Sequence, residues 1–288
     1  MNKRGSERIE RVAEMAMQLG HRHLADYGAY RSRHDFTQRQ LMACLILRAY
    51  LKTTYRGVLE MLAISPALRQ QLGLAEKLPH FTTLQKFSSR SQVLEIAQLM
   101  LGSIGQMAVA QLPASAAAMD STGLESSTAS NYFCKRSRRQ RHHWVKVSVV
   151  VLCGSLLPLG LMANLGSSND RCQARALLEQ AQAVARPTAL YADAGYDAEW
   201  IHQQCRQQWG VESVIKPAAQ RTDGTRGGKW RSLMSPEYLQ ARRYGQRWAV
   251  ESFFSGLKRT MGSALSARRP DQLLAEAAFR VLAYALRR

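Results

Sequence analysis

The sequence is short of acidic residues, and this shortage sets the first limit on what the protein binds. Only 21 Asp and Glu stand against 40 Lys and Arg, so the 288-residue chain has a formal net charge of +19 at pH 7. Such a surplus attracts polyanions, and nucleic acid is therefore the first expected partner. A membrane surface is the competing partner, but neither end of the chain has a basic amphipathic anchor or a lipidation signal.

Cysteines are also few and scattered. No two of the five have the spacing typical of a zinc site or a disulfide framework, so we expect reduced thiols. The N-terminus, MNKRGSERIERVAEM, is charged where a signal peptide would be apolar, which disfavours export. Together these absences predict a cytoplasmic location and no membrane partner.

One apolar run has the length of a membrane span, VSVVVLCGSLLPLGLMANL at 147–165. Its middle is interrupted by Gly154, Ser155 and Pro158, and its first half is rich in β-branched valine, which favours strands. We therefore predict two buried strands joined by a turn in place of a membrane span.

Helical patterns dominate the first hundred or so residues, and no strand pattern interrupts them. One helix is predicted to begin at Thr37, because Gln40 lies three residues later, which is the spacing of a capping box. Another is predicted within LPHFTTLQKF, with Thr82 or Thr83 as its N-cap.

The pattern changes near QLPASAAAMD, where Pro113 marks a predicted boundary between an all-α region at 1–112 and a second domain at 113–288. From there the predicted order is three strands, a helix, a strand, a helix that ends on Gly210, a strand and a helix, which indicates an α/β domain. This order is that of a ribonuclease H-like fold, a mixed five-stranded sheet with flanking helices. Other α/β folds share the same order.

Two acidic residues are expected at the ends of predicted strands. Asp120 closes the first strand in AAMDSTGLE, and Asp193 closes the fourth in LYADAGYD. Ligands of open α/β sheets collect at the carboxyl ends of strands, so acids in these positions are candidates for chemistry. Either residue alone is more commonly a turn former or a helix cap, which is the role expected of Asp170 and Asp197. Their combination favours a functional site.

The third candidate acid lies in YGQRWAVESFFSGLKR, residues 244–259, which has the apolar periodicity of a helix. The simplest interpretation of Glu251 is a salt bridge to Arg247, four residues earlier, which stabilises a helix by about 0.3 kcal/mol. At 100° per residue, however, four residues share an arc of roughly 60°: Tyr244, Arg247, Glu251 and Lys258.

The spacing of these four residues resembles the signature of the DDE transposases of bacterial insertion sequences: Tyr, two residues, Arg, three residues, Glu, six residues, Lys. The segments DSTGLE and ADAGYDAEW are similar to those that carry the first and second catalytic aspartates in the insertion sequence 5 and related families. The segment LGLAEKLPHFTTLQKF resembles the helical part that precedes their catalytic domain. The resemblance covers most of the chain and implies a transposase with a ribonuclease H-like catalytic domain.

The resemblance implies that Asp120, Asp193 and Glu251 are the catalytic residues and hold two Mg²⁺ ions, which Mn²⁺ can replace. Hard oxygen ligands suit Mg²⁺, and two metal ions can serve the attacking and leaving oxygens of a phosphodiester displacement. Two carboxylates about 4 Å apart repel by about 4 kcal/mol at an effective dielectric near 20, and a divalent ion removes that penalty. The implied reaction cuts a transposon end to leave a 3′ hydroxyl, which then attacks target DNA.

DNA contacts are expected around these acids. The resemblance places Arg247 and Lys258 against phosphates, and Tyr244 against a base or the backbone at the cut. The basic run NYFCKRSRRQRHHWVK, between the first two predicted strands, is expected to contact phosphates near the active centre. Its cationic residues are Lys135, Arg136, Arg138, Arg139, Arg141 and Lys146.

Recognition of a particular DNA sequence is expected from the N-terminal helices. The residues that start a helix after a tight turn, in helix-turn-helix fashion, are Thr82, Thr83, Gln85 and Lys86. The expected partners are the terminal inverted repeats of a transposable element and target DNA, with the protein assembled on them as a homodimer.

Two alternatives to a transposase stay open at this point. A metal-dependent nuclease of the same fold would cut DNA without joining it. A non-catalytic DNA-binding protein derived from a transposase would bind DNA and do neither. Strong salt dependence of DNA binding is expected in all three cases, because cationic residues release counterions from the phosphates.

Overall fold

The computed structural model divides the chain into two compact units, residues 1–100 with 257–288, and residues 101–256. The predicted boundary at Pro113 lies outside the described residues and stays a prediction. The structure describes residues 3–31, 33–111, 115–126, 136, 144–218 and 227–288.

Helices and strands follow the alternation that the sequence predicts. In chain order the α-helices are α1 (Lys3–His23), α2 (Gln38–Tyr50), α3 (Tyr55–Ala63), α4 (Pro66–Gln71), α5 (Phe81–Ser88), α6 (Gln92–Gln111), α7 (Arg171–Val184), α8 (Glu199–Gln203), α9 (Pro236–Ala241), α10 (Trp248–Met261) and α11 (Pro270–Arg287). The strands are β1 (Ala117–Glu125), β2 (Trp144–Leu152), β3 (Pro158–Leu165), β4 (Ala189–Ala192) and β5 (Glu212–Ile215).

In the first unit, helix α2 lies at the centre and packs against α1 and α11. Its predicted capping box is confirmed: Thr37 Oγ1 accepts from the Gln40 amide, and Gln40 Oε1 accepts from the Thr37 amide over 2.8 Å. From Leu41 to Ala49 every residue of α2 is buried, and Arg48 is the charged residue among them, so this part of the helix is enclosed on all sides.

The prediction of a threonine cap for α5 is wrong. The N-cap is His80, whose backbone is extended, and the helix begins at Phe81. Thr82 and Thr83 therefore lie inside the first turn, where their side chains cannot cap the helix that contains them. The prediction relied on the preference for threonine at N-caps, which the earlier start of this helix overrides.

The second unit contains a mixed five-stranded sheet in the order β3-β2-β1-β4-β5. Strand β2 is antiparallel to β1 and β3, whereas β4 is parallel to β1 and β5. The predicted sheet and the predicted β2–β3 hairpin are both confirmed. The apolar run at 147–165 is thus strand, turn and strand.

One described helix, α6, is long and apolar enough to cross a membrane by length and composition alone. The core helix of a globular protein passes the same test, and Val93, Ala97, Met100 and Leu101 of α6 are buried.

Helices α7 and α8 pack on one face of the sheet. The core there includes Met119 of β1, Val150 of β2 and Leu190 of β4. The segment after α8 continues as a π-helix and ends at Gly210, in the left-handed conformation (φ 69°), as the sequence predicts for this helix end. Because side chains alternate along a strand, Asp120 and Ser121 project to opposite faces of β1.

Candidate active site

Asp120 lies in the middle of β1, directly opposite Val149 of β2. The prediction that it closes the strand is wrong, because β1 continues to Glu125 through hydrogen bonds with β2. Burial raises the pKa of the Asp120 carboxyl to about 6, and the negative charges of Asp193 and Asp170 add to this rise. The hydrogen bond from the Ser121 amide and the charge of Arg247 act in the opposite direction.

Asp193 follows the last residue of β4, as predicted. Its Oδ1 accepts a hydrogen bond from the Gly195 amide over 2.9 Å and caps a 3₁₀ turn. A Cβ on residue 195 would lie 3.0 Å from Asp193 Oδ1 and 2.8 Å from Asp170 Oδ2. A side chain at position 195 would therefore displace at least one of these two carboxylates.

Glu251 lies in the first turn of α10, and its side chain is 55% exposed. One oxygen accepts a hydrogen bond from Arg247 Nη2, so the simple salt bridge between these residues is present. Arg247 Nη1 also lies 3.3 Å from Asp120 Oδ2. A single guanidinium therefore joins the acid of β1 to the acid of α10.

The helical arc predicted for residues 244–258 is only partly correct. Residues Tyr244–Arg247 form a 3₁₀ turn, and the α-helix begins at Trp248. Arg243, just before this turn, has a left-handed backbone (φ 52°). The angle of 100° per residue does not apply before Trp248, because a 3₁₀ helix advances about 120° per residue. Lys258 lies on α10 in the part of the chain that belongs to the first unit.

Two tyrosines connect the 3₁₀ turn to β4. Tyr244 Oη donates to the Ala192 carbonyl over 3.1 Å, and Tyr191 Oη donates to the Arg242 carbonyl over 2.9 Å. Burial raises the pKa of Tyr244 to about 12, with Arg247 acting in the opposite direction, so the hydroxyl stays protonated and can donate at neutral pH.

The opposite face of β1 carries a polar cluster that the sequence did not indicate. Asp170, expected as a turn or cap residue, precedes α7 but makes no side-chain cap. Its carboxylate instead accepts from Ser121 Oγ and forms an ion pair with Lys146 Nζ. Burial alone would raise the pKa of Asp170, but the bonds from Lys146 and Ser121 lower it overall.

The predicted DNA-binding residues have different environments. Lys146 is only 7% exposed and is bonded to Asp170 and to the Ser168 carbonyl, and its contact with DNA stays a prediction. Arg136 is exposed. The remaining cations of the basic run lie outside the described residues: Lys135, Arg138, Arg139 and Arg141.

On α5 the four residues predicted to recognise DNA divide into two pairs. Gln85 and Lys86 are exposed, whereas Thr82 and Thr83 are partly buried in the first turn. Arg56 stacks on the ring of Phe81 at the start of the same helix, 4.2 Å from its centroid. The recognition role of α5 stays a prediction.

The three predicted metal ligands suit Mg²⁺ by donor type. All three are carboxylates, and hard oxygen ligands suit Mg²⁺. In the part of the chain that the structure describes, however, no group of three His, Cys, Asp or Glu is arranged to hold a metal ion. The guanidinium of Arg247 lies between Asp120 and Glu251 and supplies positive charge there.

Comparison with known protein families adds one match. A family model described as "Transposase DDE domain" matches residues 111–286, which is more than half of the 288-residue chain. The matched region contains Asp120, Asp193 and Glu251 together with the whole described sheet. No curated protein matches the chain.

Proposed function

Because the chain belongs to the transposase DDE domain family, we propose that it is a transposase that cuts transposon-end DNA and joins it to target DNA. The observation that carries this proposal is the linked arrangement of its acids. Arg247 connects Asp120 to Glu251, and the charge of Asp193 acts on Asp120. Three acids distant in sequence thus belong to one electrostatic unit.

The catalytic domain is proposed to be ribonuclease H-like. The sheet order, with two antiparallel pairings on one side of β1 and two parallel pairings on the other, supports this assignment. The segments DSTGLE and ADAGYDAEW lie in β1 and after β4, and they support assignment to the insertion sequence 5 type. Short inverted repeats next to the gene would test that finer assignment.

Asp120, Asp193 and Glu251 would hold the metal ions, and Mg²⁺ is the proposed ion, with Mn²⁺ as its replacement. When bound, two such ions would stabilise charge on the attacking and leaving oxygens of a phosphodiester. The protein's own part is to place Asp120 beside Arg247, whose charge favours the ionised carboxylate, and to hold Glu251 on the first turn of a helix. Arg247 neutralises both acids until another cation does so.

DNA phosphates are the proposed alternative partner of Arg247. A guanidinium binds phosphate and carboxylate in the same bidentate manner, so Arg247 can exchange one for the other without losing its hydrogen bonds. Lys258 and the basic run that follows β1 are proposed to hold the backbone, while α5 recognises the terminal repeats. The protein would act as a homodimer on DNA, in the cytoplasm.

A strand-transfer assay tests the proposal. The substrate is a duplex with a pre-cut transposon end bearing a 3′ hydroxyl, taken from the repeats next to the gene, with Mg²⁺ and a target plasmid. We expect joined product with the full-length protein and none with Asp193→Asn or with an end that lacks the 3′ hydroxyl. Cleavage of intact ends without joining would identify a nuclease. Binding without either reaction would identify a DNA-binding derivative.

A further inference from the structure

The turn before α10 and the end of β4 are held together by a reciprocal pair of hydrogen bonds. Tyr191 of β4 reaches the Arg242 carbonyl, and Tyr244, two residues after Arg242, reaches back to the Ala192 carbonyl. Ala192 is the last residue of β4 and directly precedes Asp193. Each tyrosine thus donates a hydrogen bond to a backbone carbonyl within two residues of the other tyrosine.

The two hydrogen bonds fix the backbone just before Asp193 and at the start of the turn that leads to Glu251. On one side they fix the residue before Asp193, whose carbonyl also accepts from the Lys216 amide over 3.2 Å. On the other side they fix the start of the 3₁₀ turn that leads to Arg247 and then to Glu251. The turn lies against both β1 and β4.

We call the connection between the end of β4 and the turn before α10 the joint. The conformation of Arg243 gives a reason why this joint needs the two tyrosine hydrogen bonds. A left-handed backbone at a residue other than glycine costs about 1 kcal/mol or more and persists only where neighbouring contacts enforce it. Arg243 lies between the two bonded positions, Arg242 and Tyr244. Without the two hydrogen bonds the backbone of Arg243 would be free to leave the left-handed conformation. The first residues of α10 would then take a different position.

We propose that Tyr191 and Tyr244 are positioning residues, whose hydroxyls fix Asp193 relative to Arg247 and Glu251. This inference rests on the proposed function for its effect on DNA cleavage, but the joint itself exists in the protein without DNA. It assigns the hydroxyl of Tyr244 to the protein backbone and leaves only the ring for contact with DNA. It also assigns a function to Tyr191, whose side chain is buried at 4% exposure.

Tyrosine-to-phenylalanine variants of the full-length protein test the proposal, because they remove each hydroxyl and keep the ring. The variants are Tyr191→Phe, Tyr244→Phe and the double variant, and kcat and KM for a transposon-end duplex are measured with saturating Mg²⁺. We expect kcat to fall about threefold in each single variant and about thirtyfold or more in the double variant, with KM unchanged. Either bond alone retains most of the geometry, whereas displacement of an acid by about 1 Å costs up to about 100-fold.

The matched control is Tyr55→Phe in the first unit. Tyr55 Oη also makes a hydrogen bond, with Ser88 Oγ over 2.8 Å, but neither residue borders Asp120, Asp193 or Glu251. A fall in kcat equal to that of the control would overturn the proposal, because it would reflect general loss of stability. A rise in KM for DNA in Tyr244→Phe, with kcat unchanged, would also overturn it, because the hydroxyl would then contact DNA.

Amide hydrogen exchange of the free protein separates this proposal from the proposed function. In the double variant we expect faster exchange in residues 244–251, with no such change in Tyr55→Phe. If the wild type cuts no DNA but this exchange difference is present, the transposase proposal fails and the joint stands. If the wild type cuts DNA and the double variant changes neither exchange nor kcat, the joint fails and the transposase proposal stands.

Discussion

A partly buried carboxylate lies on each face of β1, and the two carboxylates differ in their partners and in their pKa. On one face, Asp120 forms an ion pair with Arg247, which also pairs with Glu251. Burial and neighbouring negative charge raise the pKa of Asp120 to about 6. On the other face, Asp170 is bonded to Lys146 and Ser121, and its pKa is lowered. Adjacent residues of one strand, Asp120 and Ser121, thus belong to two opposite electrostatic environments.

The polar cluster behind β1 extends across the sheet. Ser148 of β2 donates to Gln173 over 2.6 Å, and Gln173 donates to Asn164 of β3. Asn164 in turn donates to Ser168 over 2.7 Å. Buried polar groups that are fully bonded rigidify a fold, which indicates a supporting role for the Asp170 face. The chemistry is proposed for the Asp120 face, where burial raises the pKa of the acid.

Replacement of Asp120 is expected to have the largest effect. In Asp120→Asn the chain loses one of three acids, and cleavage of transposon-end DNA should fall about 1,000-fold, since metal-assisted charge stabilisation is worth several kcal/mol. DNA affinity, measured by fluorescence anisotropy, should not weaken, because the change removes a negative charge. Cleavage that persists at the wild-type rate would contradict the assignment of the Asp120 face.

Breaking the ion pair on the other face should affect stability more than chemistry. Lys146→Met keeps the length and apolar stem of the side chain but leaves Asp170 without its cation. Removal of one partner of a buried pair costs about 3 kcal/mol, and the 30% exposure of Asp170 reduces this to about 2–3 kcal/mol. Urea unfolding measures the loss.

The matched control for Lys146→Met is Lys77→Met. Lys77 also pairs with an aspartate, Asp35, but its side chain is 64% exposed, and a surface pair contributes little. If both variants lost the same stability, the cluster behind β1 would not be the supporting structure that we infer. If Lys146→Met instead weakened DNA binding and left stability unchanged, the original prediction of a DNA contact would be preferred.

Local signals predicted a large part of this fold. The capping box at Thr37, the β2–β3 hairpin and the helix end at Gly210 depend on residues near one another in sequence. The position of Asp193 after β4 was predicted for the same reason. The family signature then indicated three acids that no periodicity could connect.

Apart from the threonine cap of α5, the errors have a common cause in distant contacts. The polar run DSTG after Met119 looks like a turn, but pairing with β2 extends the strand through it. The 3₁₀ turn at Tyr244–Arg247 depends on hydrogen bonds to β4, about 50 residues earlier in the chain. The hydrogen bond between Ser121 and Asp170 joins residues 49 apart in the chain, and no spacing pattern in the sequence predicts it.

His202 is an exception within the supporting face, and it predicts a pH dependence. It is fully buried, Nδ1 lies 2.8 Å from Ser213 Oγ, and Nε2 has no hydrogen-bond partner among the described residues. Burial lowers its pKa from 6.5 to about 4. Between these values the unfolded chain binds a proton that the folded protein excludes, so stability falls as pH falls from about 6.5 towards 4.

The expected loss from this residue is about 2 kcal/mol between pH 7 and pH 5. Urea unfolding of the wild type and of His202→Gln at both pH values isolates it, because other groups act equally in both proteins. Asp120 is among those groups and acts in the opposite direction, since its raised pKa favours the folded state as pH falls. His21→Gln, at an exposed position, is the control. An unchanged pH dependence in His202→Gln would contradict the prediction.

Replacement of Arg247 should give the smallest effect and the sharpest test of the contrast between the faces. In Arg247→Gln the guanidinium that joins Asp120 to Glu251 is lost, so both carboxylates need another cation. We expect the affinity for Mn²⁺ without DNA, measured by electron paramagnetic resonance, to rise about tenfold. The full attraction of a unit charge at about 4 Å is larger, but the exposure of Glu251 screens it.

The control is Arg259→Gln, at an exposed position on the same helix. It removes the same charge from a residue that is not paired with Asp120 or Glu251, and it should change the affinity for Mn²⁺ little. Equal affinities in Arg247→Gln and the wild type would mean that Arg247 does not compete with a metal ion at the Asp120 face.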